Sequence, residues 1–186
     1  MAIGGTGDIV MNGVFTNSSV TNGYGNIVKQ GTDTLIINRA STRNGQVDVI
    51  NAGTVLLSGS GSLFANLATS GLTMTGGSLI FSDKAMVIGG ALNMSGSPTI
   101  TGNGVSSLSV SAASTLAGTI TTSGTQNYAV SSTLNGSLTL NTTNANVTTP
   151  YMMVPSGQSG NYDFTLNLGT GNFILNNGSF GVGGSS

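Results

Sequence analysis

The feature that most constrains this chain is a repeat. Short β-type runs are centred on Ile36, Leu56, Ile80, Ile100, Ile120 and Leu140, at spacings of 20, 24, 20, 20 and 20 residues. Most are introduced by small residues, as in Gly53-Thr54-Val55-Leu56, Gly77-Ser78-Leu79-Ile80, Gly96-Ser97-Pro98-Thr99-Ile100, Gly118-Thr119-Ile120 and Gly136-Ser137-Leu138-Thr139-Leu140. Glycine supplies the turn, and the β-branched or leucine-rich run after it supplies a strand. Further strand-like pieces at Val47 to Ile50, Leu72 to Thr75, Met86 to Ile88, Leu108 to Ser111 and Tyr128 to Val130 place two or three strands in each period. A unit of this size cannot bury its apolar side alone. Stacking units at the ~4.8 Å strand spacing covers each Val/Ile/Leu row with the next. The expected fold is therefore all-β, a parallel β-helix-like solenoid with rungs of about 20 residues. The alternative is a β-sandwich or jelly roll, whose turn signals recur every ~8–12 residues.

Composition points the same way and removes most chemistry. Charged residues make up 5% of the chain and Glu is absent, so the straight-chain residues that favour helices are scarce. Gly and Pro number 30 and 3, yet hydrophobic residues hold at 38% in short, evenly distributed runs, which argues for many short strands and against disorder. Cys and His are both missing. That excludes disulfides, thiolate or imidazole metal sites, and Ser/His or Cys/His nucleophilic pairs. Four basic residues at a net charge of −1 cannot neutralise several phosphates, so nucleic acid and anionic membranes are poor partners. No apolar run approaches the ~18 residues of a membrane span. The expectation is a non-enzymatic chain with no cofactor and no metal.

Charge also divides the sequence. Eight of the nine charged residues lie at or before Lys84 and only Asp163 follows, which leaves 85–162 uncharged. Neutral Ser, Thr and Asn lining such a tract suit a stacked or closely packed exterior, and so a homo-oligomer or a protein lattice as partner. The pattern breaks at Pro150-Tyr151-Met152-Met153-Val154-Pro155, where two prolines remove ladder donors and large apolar residues cluster. Tyr151, Met152, Met153 and Val154 are accordingly the candidate protein-contact residues. Beyond them, Tyr162 to Leu168 and Asn172 to Leu175 flank Gly169-Thr170-Gly171 and predict a C-terminal hairpin, followed by a glycine-rich tail from Gly181 to Ser186. The organisation expected is an N-terminal arm or cap over 1–24, a repetitive solenoid over 25–149, and a C-terminal contact segment, hairpin and tail over 150–186.

Individual polar residues support bland roles. Asp8, Asp33, Asp48, Asp83 and Asp163 are scattered, with no Trp platform beside them, and read as turn or capping residues in preference to a carboxylate pair for glycoside cleavage. Gly4-Gly5-Thr6-Gly7-Asp8 approaches the glycine-aspartate calcium repeat of β-rolls only once and with the Asp one position early, so it reads as a loop. Lys29, Arg39 and Arg43 read as solvated rim charges that guard sheet edges. Met11, Met74, Met86, Met94, Met152 and Met153 are adaptable fillers of core or interface, the pair Met152-Met153 being assigned to a subunit contact. N-x-[ST] triplets at Asn17, Asn93, Asn135, Asn141, Asn146 and Asn177 are expected of this composition and imply no glycosylation.

One segment carries a family likeness. Gly25 to Leu57 contains Ile27-Val28-Lys29-Gln30-Gly31 before a first turn, Thr34-Leu35-Ile36-Ile37 as a strand, Asn44-Gly45 at the next turn, and Asn51-Ala52-Gly53-Thr54-Val55-Leu56 closing it. In that order these features resemble the autotransporter passenger-associated β-strand repeat of secreted bacterial β-helical proteins. The departures are Arg43, where that family usually has an aromatic residue, and one additional residue between Gln46 and Ile50. The resemblance implies a parallel β-helix with an adhesive or scaffolding role at the bacterial cell surface, in a chain flanked by a signal sequence and a membrane β-barrel. The opening Met1-Ala2-Ile3-Gly4-Gly5 has neither a basic n-region nor an apolar h-region. It leads instead to the expectation of a part made inside the cell and immobilised by its neighbours. The low-charge Gly/Ser/Thr/Asn sequence is similar in class to phage capsid decoration (cement), fibre and spike proteins, which implies a place on the virion surface.

Overall fold

The computed structural model describes residues 1–14, 26–41, 43, 47–63, 70–155, 161–176, 178 and 180–182. The turn expected at Asn44-Gly45, the triplets beginning at Asn17 and Asn177, and residues 183–186 of the tail lie outside these. In chain order the strands are Ala2–Ile3 (β1), Ile9–Met11 (β2), Val28–Lys29 (β3), Thr34–Ile37 (β4), Val47–Ile50 (β5), Thr54–Leu57 (β6), Gly71–Met74 (β7), Ser78–Ser82 (β8), Ala85–Ile88 (β9) and Leu92–Met94 (β10). They continue as Thr99–Asn103 (β11), Ser107–Val110 (β12), Ser114–Thr121 (β13), Gln126–Tyr128 (β14), Ser132–Asn141 (β15), Val147–Thr149 (β16), Met152–Val154 (β17), Phe164–Asn167 (β18), Phe173–Leu175 (β19) and Phe180–Val182 (β20). No helix occurs among the described residues, so none is long and apolar enough to cross a membrane.

Every strand pairing is parallel, and partners come from successive turns of the chain, which makes the fold a β-solenoid with three faces. The first face stacks β1, β3, β5, β7 and β10, then the leading halves of β13 and β15, then β17 and β20. The second stacks β2, β4, β6, β8 and β11, the trailing halves of β13 and β15, and β18. The third is a separate five-stranded sheet of β9, β12, β14, β16 and β19. Because β13 and β15 each run across two faces, the first and second belong to one bent 15-stranded sheet, with a register shift after Leu116 where the strand rounds the corner.

Between the first and second faces the chain turns at a column of glycines with positive φ: Gly31 (73°), Gly53 (69°), Gly77 (70°) and Gly96 (75°). The backbones there nearly touch. A Cβ on Gly77 would sit 2.6 Å from the Gly53 carbonyl oxygen and 3.1 Å from Ile50 Cγ2, so both the left-handed conformation and the close approach require glycine.

The core is built from columns of inward residues, one per turn. On the second face Leu35, Val55, Leu79, Ile100, Ile120 and Leu140 lie in register and are fully buried. Each such side chain removed from water contributes roughly 1.5–3 kcal/mol, an amount reached only because the turns above and below cover it. Beside this column Phe81 pairs with Gly102, and a Cβ on that glycine would stand 2.8 Å from the ring. A large residue is thus accommodated by a minimal one in the next turn.

Three expectations are corrected. The terminal hairpin does not form: β18 pairs in parallel with β15 and β19 with β16, so Gly169-Thr170-Gly171 is a corner between two faces of a further turn. The repeat is present, but its phase changes. Ile80 pairs with Thr101, and Ile100 pairs with Leu79. Successive side chains of a strand point to opposite faces, so this one-residue offset leaves Ile36, Leu56 and Ile80 facing outward while Ile100, Ile120 and Leu140 face the core. Within 1–24, β1 and β2 are already members of the stack, paired with β3 and β4.

Candidate functional site

The segment expected to make protein contacts divides by strand alternation. Met152 pairs with Ser132 and Phe180 and is completely buried, so it is a core residue and cannot be a contact. Its neighbours face out: Tyr151 is 41% and Met153 37% exposed, and Val154 is half-buried. The Tyr151 ring lies over Gly178, where a Cβ would collide with it. Met153 stands in an outward column with Asn93, Thr115 and Thr133.

The charged residues depart most from expectation. Lys29 and Arg43 are buried, not solvated, and each meets an aspartate inside the stack. Lys29 occupies an inward position beside Ile50. Its Nζ donates to Asp33 Oδ1 at 2.8 Å and to the carbonyls of Gln30 (2.8 Å) and Gly31 (2.9 Å), so the ammonium closes the corner that the glycines turn. Arg43 makes a bidentate contact with Asp48, Nη1 to Oδ1 at 3.0 Å and Nη2 to Oδ2 at 2.5 Å, and also donates to the Leu63 carbonyl. Asp48 Oδ1 further accepts the Ile27 amide at 2.8 Å. These fork contacts fix geometry, because a guanidinium and a carboxylate match in only a few orientations. The sequence signal was available in retrospect: opposite charges four and five residues apart, at Lys29 and Asp33 and at Arg43 and Asp48.

Two of the remaining aspartates cap individual turns, as expected: Asp8 Oδ1 accepts the Thr34 amide at 2.9 Å and Asp83 Oδ1 accepts the Val105 amide at 3.0 Å. At Asp163 it is the backbone amide that bonds, donating to Ser137 Oγ at 3.1 Å. Gly4 to Asp8 forms the first corner, where the Gly5 amide donates to Asp33 Oδ1 at 3.2 Å. No cluster of three metal-ligating side chains occurs among the described residues. An open hollow of about 400 Å³ is lined by Ser41, Leu57, Ser60, Lys84 and Met86 among others, with no carboxylate. Lys84 Nζ is already held there by the carbonyls of Gly59 (2.7 Å) and Gly61 (3.0 Å), and burial lowers its pKa.

What the fold does organise is its outer surface. On the second face one outward column reads Thr34, Thr54, Ser78, Thr99, Thr119, Thr139 and Thr165, a hydroxyl at each turn from β4 to β18. The adjacent column changes along the axis, from Val10, Ile36, Leu56 and Ile80 through Thr101 and Thr121 to Asn141 and Asn167. Bonds between turns tie parts of it together: Thr99 Oγ1 to Ser78 Oγ at 2.8 Å, Asn141 Nδ2 to Thr121 Oγ1 at 3.0 Å, and Asn167 Nδ2 to Asn141 Oδ1 at 2.8 Å. Some small polar residues of the uncharged tract turn inward instead, among them Ser114, Ser132, Thr122 and Thr149. There Gln126 Nε2 donates to the Asn141 carbonyl at 3.0 Å, and the Tyr128 hydroxyl to Gln126 Oε1 at 3.2 Å.

Side-chain titration should leave stability nearly independent of pH between about 6 and 8, because His and Cys, the side chains whose ordinary pKa lies in or next to that range, are both absent. The hydrogen bond from Lys29 holds the Asp33 carboxyl below its ordinary range. Its contribution is therefore fully present above the unfolded pKa of ~3.9 and lost as pH falls through the lower folded value. Desolvation pushes Asp48 upward despite Arg43, so its contribution has the opposite sign and opposes that loss. Measured from acid to neutral pH, the difference in melting temperature between the parent and Asp33→Asn should be constant near neutrality and narrow below about pH 4, as the Asp33 carboxylate is protonated. A fall between pH 8 and 6 would contradict this assignment.

No protein-family model, curated protein or solved structure matches the chain.

Proposed function

We propose that this chain is a non-enzymatic structural protein of an exposed assembly, a stiff β-solenoid that binds neighbouring protein through extended surface. The observation that carries the reading is the second face's outer column, in which all seven turns from Thr34 to Thr165 present a neutral hydroxyl residue. A surface repeating at the strand spacing is suited to a partner that is itself extended or repeated, and its lack of charge removes long-range repulsion between closely packed copies. The setting that fits best is a phage virion, as a capsid decoration (cement) protein or a fibre or spike component, with a protein lattice or further copies as partner. A second reading, favoured by the likeness of Gly25 to Leu57 to the passenger-associated repeat, is a fragment of an autotransporter adhesin at the bacterial cell surface.

The test is to quantify the chain in purified virions and in cell envelopes from the natural source, together with its intact mass. Many copies per particle, at the mass of this sequence with or without Met1, would support the virion reading. Recovery from the envelope, joined to a membrane barrel or cut from a larger precursor, would support the adhesin. A chain found free and attached to neither would remove both.

A further inference from the structure

We infer that the two ends of the solenoid bind each other in successive copies, so that the chain stacks head to tail into a filament. This rests on the assembly reading above and names the partner, a second copy of the same chain. At the C-terminal end β18, β19 and β20 each pair, among the described residues, with one strand only, β15, β16 and β17, and no described strand pairs with their other edges. Phe164, Phe173 and Phe180 continue the columns of Leu138, Val147 and Met152, all of which are buried. Phe164 and Phe173, by contrast, are only half-buried, and Phe180 is 47% exposed. Their rings form one plate, with Phe164 stacked on Phe180 at 5.2 Å and edge-on to Phe173 at 5.6 Å. Among the described residues the core thus ends on a partly exposed aromatic surface.

At the other end β1 and β2 likewise have one partner each, β3 and β4. Ile9 and Met11 begin the columns of Leu35 and Ile37 but are only half-buried, and Met1 and Val10 are exposed. The backbone makes the two edges complementary. The Met11 carbonyl accepts from Asn38 and the Ile37 carbonyl from Ser58, so inward residues of the second face direct their carbonyls toward the following turn. In a parallel ladder the peptide groups of alternate residues point to opposite sides. Leu166, an inward residue of the same face, therefore offers its peptide group at the open C-terminal edge, and outward Val10 offers its own at the open N-terminal edge. Setting one copy's β2 against another's β18 continues a single strand direction and places Ile9 over Leu166, the last residue of the column that Ile9 begins. Neither edge carries the lysines or prolines that guard exposed strands, and exposed edges of this kind pair with other chains. A head-to-tail contact does not close on itself, so it propagates.

The experiment uses the whole chain and two end-blocked variants. Val10→Pro removes a donor that the β2–β4 ladder does not use, and Phe180→Lys places a charge on the exposed plate. Sedimentation velocity over a dilution series, with electron microscopy, should show the wild-type mass growing with concentration into filaments one solenoid wide. Each variant alone should remain at one chain mass. An equimolar mixture, which retains one open end of each kind, should stop at twice that mass. Circular dichroism must show both variants still β-folded; if either is not, the mixing is repeated with Val10→Lys or Phe180→Asp at the same end. The inference is overturned by a wild-type chain that stays monomeric, by one that stops at a dimer through like ends, or by a native protein whose own following segment supplies the next turn. A monomer that is still found in many copies per particle would overturn the stacking alone and leave the assembly reading standing.

Discussion

Replacing Arg43 by Met on its own is expected to cost about 3–5 kcal/mol, the usual penalty for stranding one partner of a buried ion pair. Asp48 is 1% exposed, and without the guanidinium its carboxylate would retain the Ile27 amide as its one remaining partner among the described contacts. Adding Asp48→Leu should then recover most of the loss. Position 48 pairs with Leu72, which pairs with Leu92, so a leucine there extends an existing inward column. Two charges brought together out of water roughly break even against apolar residues of similar volume, which is why the double variant should approach the parent or exceed it. Urea unfolding of the single, the double and the parent measures this directly. A single variant within about 1 kcal/mol of the parent, or a double less stable than the single, would show that the pair does not act as described. In a chain of this size each kcal/mol moves the melting temperature by about 2–4 °C, so the contrast is large enough to read thermally as well.

That pair also shows where the sequence stops being legible. The strands and their repeat are visible because small corner residues alternate with β-branched or leucine-rich runs, and those preferences are local. Whether a charged residue faces in is not local. Lys29 reads as a rim charge until the corner carbonyls of Gln30 and Gly31 are seen to surround its ammonium. The same holds for the last turn. Two short β runs across Gly169-Thr170-Gly171 look like a hairpin, but Phe164 takes its partner from Leu138 and Phe173 from Val147, both a full turn earlier. Met152 and Met153 are equivalent as sequence, and only the register of β17 on β15 sends the first into the core and the second outward. Of the surface, the individual threonines are plain in the sequence, but their alignment into one column is set by the pairings. The turn from β6 to β8 carries extra residues and that from β8 to β11 restores the spacing one residue out of phase, so counting positions alone cannot find the column.

The register at that step can be tested by exchanging neighbours. In Ser78-Leu79-Ile80-Phe81 three apolar residues are consecutive, and composition cannot say whether Leu79 or Ile80 belongs to the core. The pairing places Leu79 between Val55 and Ile100, fully buried, and Ile80 between Leu56 and Thr101 on the outer face. Leu79→Ala should therefore cost about 2–5 kcal/mol, combining lost transfer free energy with a cavity that the turns on either side cannot close. In a solenoid the packing of each turn depends on the turn above and the turn below, so the void weakens two interfaces at once. Ile80→Thr should cost less than about 1 kcal/mol, because a β-branched hydroxyl residue suits an outward strand position and matches Thr101 beside it. Urea midpoints of the two variants rank them without reference to any absolute value. If Ile80→Thr proved the more damaging, the second face would be out of register by one residue at this turn, and the hydroxyl column through Ser78 and Thr99 would face the core in place of solvent.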